Sequence, residues 1–114
     1  MAVKKFEDLL VWQKAQDFAV AIYQNFSDSR DYSFKDQILR ASISISNNIA
    51  EGLDRSTNPD FISFLYFATS SNSEVRSMLY LSKRLNFFWT LKRHPNLLNN
   101  QTKFLKCFSG SYNQ

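Results

Sequence analysis

The chain is almost without breakers: glycine stands only at positions 52 and 110, and proline only at 59 and 95. Sandwiches, barrels and doubly wound α/β folds need many turn residues with positive or fixed φ, which this chain does not supply. A few long helices joined by few loops is the architecture left. At 114 residues there is room for one domain, residues 1–114, built on one core. Hydrophobic residues at 44% and charged residues at 21% exclude disorder for the chain as a whole. Aromatic residues reach 16%, with eleven Phe, an apolar load that points to more buried surface than a monomer hides.

Helical periodicity places four segments. Over about 7–26, Trp12, Ala15, Ala19, Ile22, Tyr23 and Phe26 recur at spacings of three and four, Val11 and Phe18 widen the stripe, and Glu7 and Asp8 open the helix. A polar connection follows, with Asp31 or Ser33 as the cap of a second helix over about 34–54. Its Ile-Ser-Ile-Ser run has the period of a strand, but a helical plot of the whole segment sorts the residues cleanly. Phe34, Leu39, Ile38, Ala41, Ile43, Ile45, Ile49, Ala50, Gly52 and Leu53 then gather on an arc of roughly 200°, twice what one packing face needs. That width implies neighbours on two sides, hence an oligomer, with packing inside one chain as the alternative. Asn58-Pro59 reads as a cap and first helical residue, opening a third helix over about 59–88 with a core row of Phe61, Phe64, Leu65, Ala68, Val75, Met78, Leu79 and Leu85. The polar Ser71, Asn72 and Ser82 interrupt that row. A last helix is expected over about 96–112, with Leu97, Leu98, Phe104, Leu105, Phe108 and Tyr112 on one face. The fold expected is all-α, an antiparallel up-down-up-down four-helix bundle.

The net charge of +4 conceals a split. Through Glu74 there are seven bases against ten acids, a balance of −3; after it come Arg76, Lys83, Arg84, Lys92, Arg93, Lys103 and Lys106 with no acid, a balance of +7. Such a dipolar chain suits an acidic partner or its own opposite half. On the third helix Thr69, Ser73, Arg76, Tyr80, Lys83 and Phe87 form a row opposite the core, and bases interleaved with aromatics suit nucleic-acid contact as well as a solvated or subunit face.

Catalytic chemistry has little to work with. The single histidine, His94, has no acid nearby in sequence, and with the single cysteine, Cys107, it supplies neither a triad nor a zinc set. Two distant glycines exclude a phosphate loop. No catalytic residue, metal or cofactor is expected, nor a disulfide. The opening MAVKKFEDLL has neither the apolar run of a signal peptide nor that of a membrane span, so a cytoplasmic location without membrane association is expected. The most specific constellation is the polar arc of the second helix, where Arg40, Ser44, Asn48, Glu51 and Arg55 recur at spacings of 4, 4, 3 and 4. Such a row can lock a helix register or an interface through charge-assisted hydrogen bonds.

Three segments carry a family resemblance: FEDLLVWQKA at Phe6 to Ala15, QILRASISISNNIAEG at Gln37 to Gly52 with Arg55 beyond, and FISFLYFATSSNSEV at Phe61 to Val75. Their Arg-Ala-Ser…Asn-Ile-Ala-Glu-Gly pattern resembles the bundle proteins encoded in intervening sequences of bacterial 23S rRNA genes, sometimes labelled as a ribosomal protein. Departures are Ser70, Asn72 and Asn86, where the family usually shows Gly, a Leu-like residue and Gly. The resemblance implies a bacterial four-helix bundle assembled as a ring-like homo-oligomer, commonly a pentamer. An accessory protein of diversity-generating retroelements, a basic pentameric barrel that associates with nucleic acid and a reverse transcriptase, is similar to this family. The expected function is therefore a non-enzymatic oligomeric bundle that binds RNA or DNA through its basic C-terminal half. The alternative is a protein-interaction scaffold with no nucleic-acid role.

Overall fold

Two side-chain caps set where the longer helices begin. In the computed structural model of the chain, which describes residues 5–55 and 57–85, the Asp31 carboxylate accepts the Phe34 N–H at 3.1 Å. The Thr57 hydroxyl accepts the Asp60 N–H at 3.3 Å. Each oxygen takes an amide that the first turn leaves without a helical partner. Helix α1 spans Leu10–Phe26, α2 spans Tyr32–Asp54 and α3 spans Asn58–Arg84; the described residues contain no strand. Asp31→Ala and Thr57→Ala are each expected to lower the unfolding free energy by about 1 kcal/mol, read as a lower urea midpoint at unchanged slope.

The boundaries differ from the sequence reading for identifiable reasons. A 3-10 turn at Phe6–Asp8 precedes α1, and Leu9 then turns extended at φ −77° and ψ 123°, so the helix starts at Leu10 rather than 7. The break buries Leu9 and folds Phe6 back onto Trp12, with ring centroids 5.2 Å apart. Glu7 and Asp8 consequently lie in that turn and not in the first turn of α1. Asp31 as cap starts α2 two residues before 34. Thr57, not Asn58, caps α3, and Asn58 is its first helical residue. Helix α3 ends at Arg84 with Leu85 as its C-cap. The expected fourth helix over 96–112 lies outside the described residues.

Helix α2 is the central element: it packs against α1 on one side and, more extensively, against α3 on the other. Both pairs are antiparallel. Residue numbers run in opposite directions across α2 and α3, where Gly52 meets Phe61 and Phe64 and Ser44 meets Ser71. They do so again across α1 and α2, where Gln16 meets Ser46 and Phe26 meets Phe34. Apart from Ile43, the wide apolar arc of α2 thus lies against two helices of its own chain, and its width gives no separate argument for an oligomer.

The core is built from Ile22 and Phe26 of α1, Ile38, Ile45 and Ile49 of α2, and Leu65, Val75 and Leu79 of α3. The buried side of α2 is rotated relative to the apolar plot: Ser42 and Ser46 are buried, whereas Ile43 is 37% exposed. Their hydroxyls carry no desolvation penalty, because Ser42 donates to the Leu39 carbonyl at 2.8 Å and Ser46 donates to the Ile43 carbonyl while accepting from Gln16. Small satisfied side chains let α1 approach closely. In α1 the buried stripe runs through Val11, Phe18 and Ala21, leaving Tyr23 on the outside. In α3, Asn72 and Ser82 are buried with the apolar row, and Leu85, placed in the core by periodicity, is exposed beyond the last turn.

Candidate functional site

The acid-free stretch after Glu74 begins on α3, and the helix sorts its residues by face. Arg76, Tyr80, Lys83 and Arg84 are exposed, on the side away from Val75, Leu79 and Ser82. Tyr80 follows Arg76 by four residues and precedes Lys83 and Arg84 by three and four, so the ring has cations one turn before and one turn after it. Among the described residues these three cations have no ion-pair partner. Lys83 and Arg84 lie in the last turn, where their charge also offsets the helix dipole. In the same row Ser73 is exposed, and Thr69 is half-buried with its hydroxyl donating to the Leu65 carbonyl. The remaining members of the basic set, Lys92, Arg93, Lys103 and Lys106, lie outside the described residues, as do Phe87, His94 and Cys107.

Glu74, the last acid, is held off this face. Its carboxylate accepts from the Gln37 amide at 3.3 Å across to α2, and the charged side chains of α3 from Arg76 onward are all cations.

The polar row of α2 does not act as one network. The Asn48 amide donates to the carbonyl and the hydroxyl of Ser44, at 2.8 and 2.9 Å, and the Ser44 hydroxyl pairs with that of Ser71 on α3 at 2.9 Å. That cluster fixes the register of α2 on α3. Arg55 sits apart, its guanidinium 5.2 Å from the centre of the Phe64 ring, and Phe64 meets Phe67 edge to face. Arg40 lines an open cleft of about 580 Å³ with Ser33, Asp36, Gln37, Ala41, Ser44, Ser71 and Glu74. Glu51 is exposed and, among the described residues, forms no ion pair with Arg55. The i,i+4 order of that pair is favourable, but Arg55 lies beyond the end of α2 in extended backbone, and its cation turns to Phe64 instead.

The sequence reading missed the cross-helix partners Gln37 with Glu74 and Gln16 with Ser46; alternation of polar and apolar residues shows which side of a helix is wet, not which neighbour it meets. Among the described residues, no three His, Cys, Asp or Glu side chains gather as a metal site would require. None of the described helices is long and apolar enough to cross a membrane.

Known proteins place this architecture. Similar to the chain is a protein of unknown function from the S23 ribosomal protein family of Bacteroides thetaiotaomicron, whose crystal structure superposes with a TM-score of 0.81 at 26% identity. The match covers 92% of this chain and 100% of that one. No curated protein matches. The model of the 23S rRNA-intervening sequence protein family matches residues 7–107. With all three described helices inside that span, the chain belongs to the 23S rRNA-intervening sequence protein family.

Proposed function

We propose that the protein is a non-enzymatic, cytoplasmic helical bundle that binds structured RNA, or another nucleic acid, through backbone charge. The observation that carries this reading is the outer side of α3, where Arg76, Lys83 and Arg84 stand exposed beyond the last acid, at the start of a segment with seven bases and no carboxylate. Lys92, Arg93, Lys103 and Lys106 extend the same charge in sequence. The family's name, which refers to sequences inside 23S rRNA genes, adds support.

The assembly proposed is a four-helix bundle that associates as a ring-like homo-oligomer, with a pentamer favoured. In its favour, Val20, Tyr23 and Ile43 are exposed along a groove of about 310 Å³ between α1 and α2, an apolar surface for a second copy to cover.

Fluorescence anisotropy with an RNA hairpin tests the function. Binding is expected at low salt, with the logarithm of the affinity falling against that of salt at a slope of about −2 or steeper if three cations each release a counterion. The triple variant Arg76→Glu, Lys83→Glu, Arg84→Glu should weaken binding at least about tenfold at low salt. Absence of binding by the unaltered protein at low salt would end this reading. If the triple variant instead changes the size measured by light scattering after size exclusion, with no RNA affinity in either protein, the basic side belongs to a protein-interaction scaffold.

A further inference from the structure

The position of Tyr80 specifies the form of nucleic acid. We infer that the outer side of α3 takes unpaired nucleotides, one base stacking on the Tyr80 ring while Arg76 before it and Lys83 after it hold phosphates of the same strand. This rests on the nucleic-acid reading above and narrows it.

Tyr80 is 50% exposed, and among the described residues its ring has no aromatic or cationic contact and its hydroxyl no hydrogen bond. The ring stands half-exposed in the middle of a cationic row. From Arg76 to Lys83 the helix rises about 10 Å, with the ring between, a span that long basic side chains close onto neighbouring phosphates. Ser77 is also exposed and stands three residues before the ring, with a hydroxyl on the same side.

A duplex would make poor use of this arrangement. Its bases are stacked on each other, the deep, narrow major groove of A-form RNA does not admit side chains, and the shallow minor groove presents 2′-hydroxyls and base edges but no base face. The cations would suffice, and the ring would have no face to stack on. Unpaired bases in loops and single strands present their π faces, and stacking on an aromatic ring tolerates any sequence.

The experiment uses the full chain, a labelled short oligouridylate and a blunt RNA duplex of equal length, with anisotropy read at low salt. Tyr80→Ala should weaken oligouridylate binding by about tenfold and leave duplex binding unchanged, while Tyr80→Phe, which keeps the ring, retains the affinity. Unchanged circular dichroism would confirm that these surface variants fold. If Tyr80→Ala leaves oligouridylate affinity intact while charge reversal at Arg76, Lys83 and Arg84 removes it, the stacking inference is wrong and the charge-based function stands. Equal losses on duplex and single strand, or a loss in Tyr80→Phe matching that in Tyr80→Ala, would also overturn it. If neither RNA binds at low salt, both readings fall. Binding of oligoglutamate as tight as that of oligouridylate would assign this side to an acidic protein and overturn the inference.

Discussion

Truncating Phe26 to alanine should remove about 3–5 kcal/mol of unfolding free energy. Phe26 is fully buried and closes the corner between α1 and α2, its ring 5.5 Å from that of Phe34 across the connecting turn. Deletion loses the transfer energy of a whole phenyl group and leaves a cavity that the corner is poorly able to fill. Its backbone is pinned by the Ser27 and Ser29 amides, which donate to the Tyr23 and Phe26 carbonyls, and by the Asp31 cap. Against a total stability of about 5–15 kcal/mol for an ordinary domain, this loss brings the variant close to unfolding. The check is urea denaturation followed by circular dichroism, in which the midpoint should fall by more than about 1 M. A loss below about 1 kcal/mol would mean that the corner collapses around the gap, contrary to its network of bonds.

Gly52 gives the second large effect, with a sign opposite to that expected from helix propensity. In a solvated helix Gly→Ala is stabilising by about 1 kcal/mol. Here a Cβ at position 52 would lie 2.6 Å from the Phe64 Cβ and 3.1 Å from the Phe61 Cδ1. The nearest atom is fixed to the backbone of α3 and cannot rotate away, so the two helices must separate. Gly52→Ala is therefore expected to destabilise by about 1–3 kcal/mol, and Gly52→Leu by about 3 kcal/mol or more. Separation would also strain the Ser44 to Ser71 hydroxyl pair, on the same interface. Guanidinium melts of the two variants decide the matter. A raised midpoint for Gly52→Ala would show that the close approach of α2 to α3 does not hold in solution.

What could be read in advance follows from what each physical signal encodes. The helices were legible because Ile38, Ile45 and Ile49 in α2, or Leu65, Ala68 and Val75 in α3, repeat with the turn of the helix. The break at Leu9 was not, since it depends on Phe6 reaching Trp12, a contact that no local propensity describes. Burial of Ser42 and Ser46 in place of Ile43 was also hidden, because a serine satisfied by its own helix behaves as a small core residue. The outward placement of Arg76, Lys83 and Arg84 was legible from the same periodicity as the core. The dispersal of the Arg40 to Arg55 row was not: its register against Ser71, Phe64 and Glu74 is set by how α3 lies on α2, and Gly52 determines that approach.

The central position of α2 ties the two antiparallel pairs into one cooperative unit. Neither pair has a complete core without the other, because α2 buries residues toward both neighbours at once. A defect at the Phe26 corner is therefore expected to loosen α2, which also carries the Ser44 to Ser71 contact with α3. The proposed binding surface on α3 has no stability of its own to draw on, and holds its shape only as firmly as α1 holds α2.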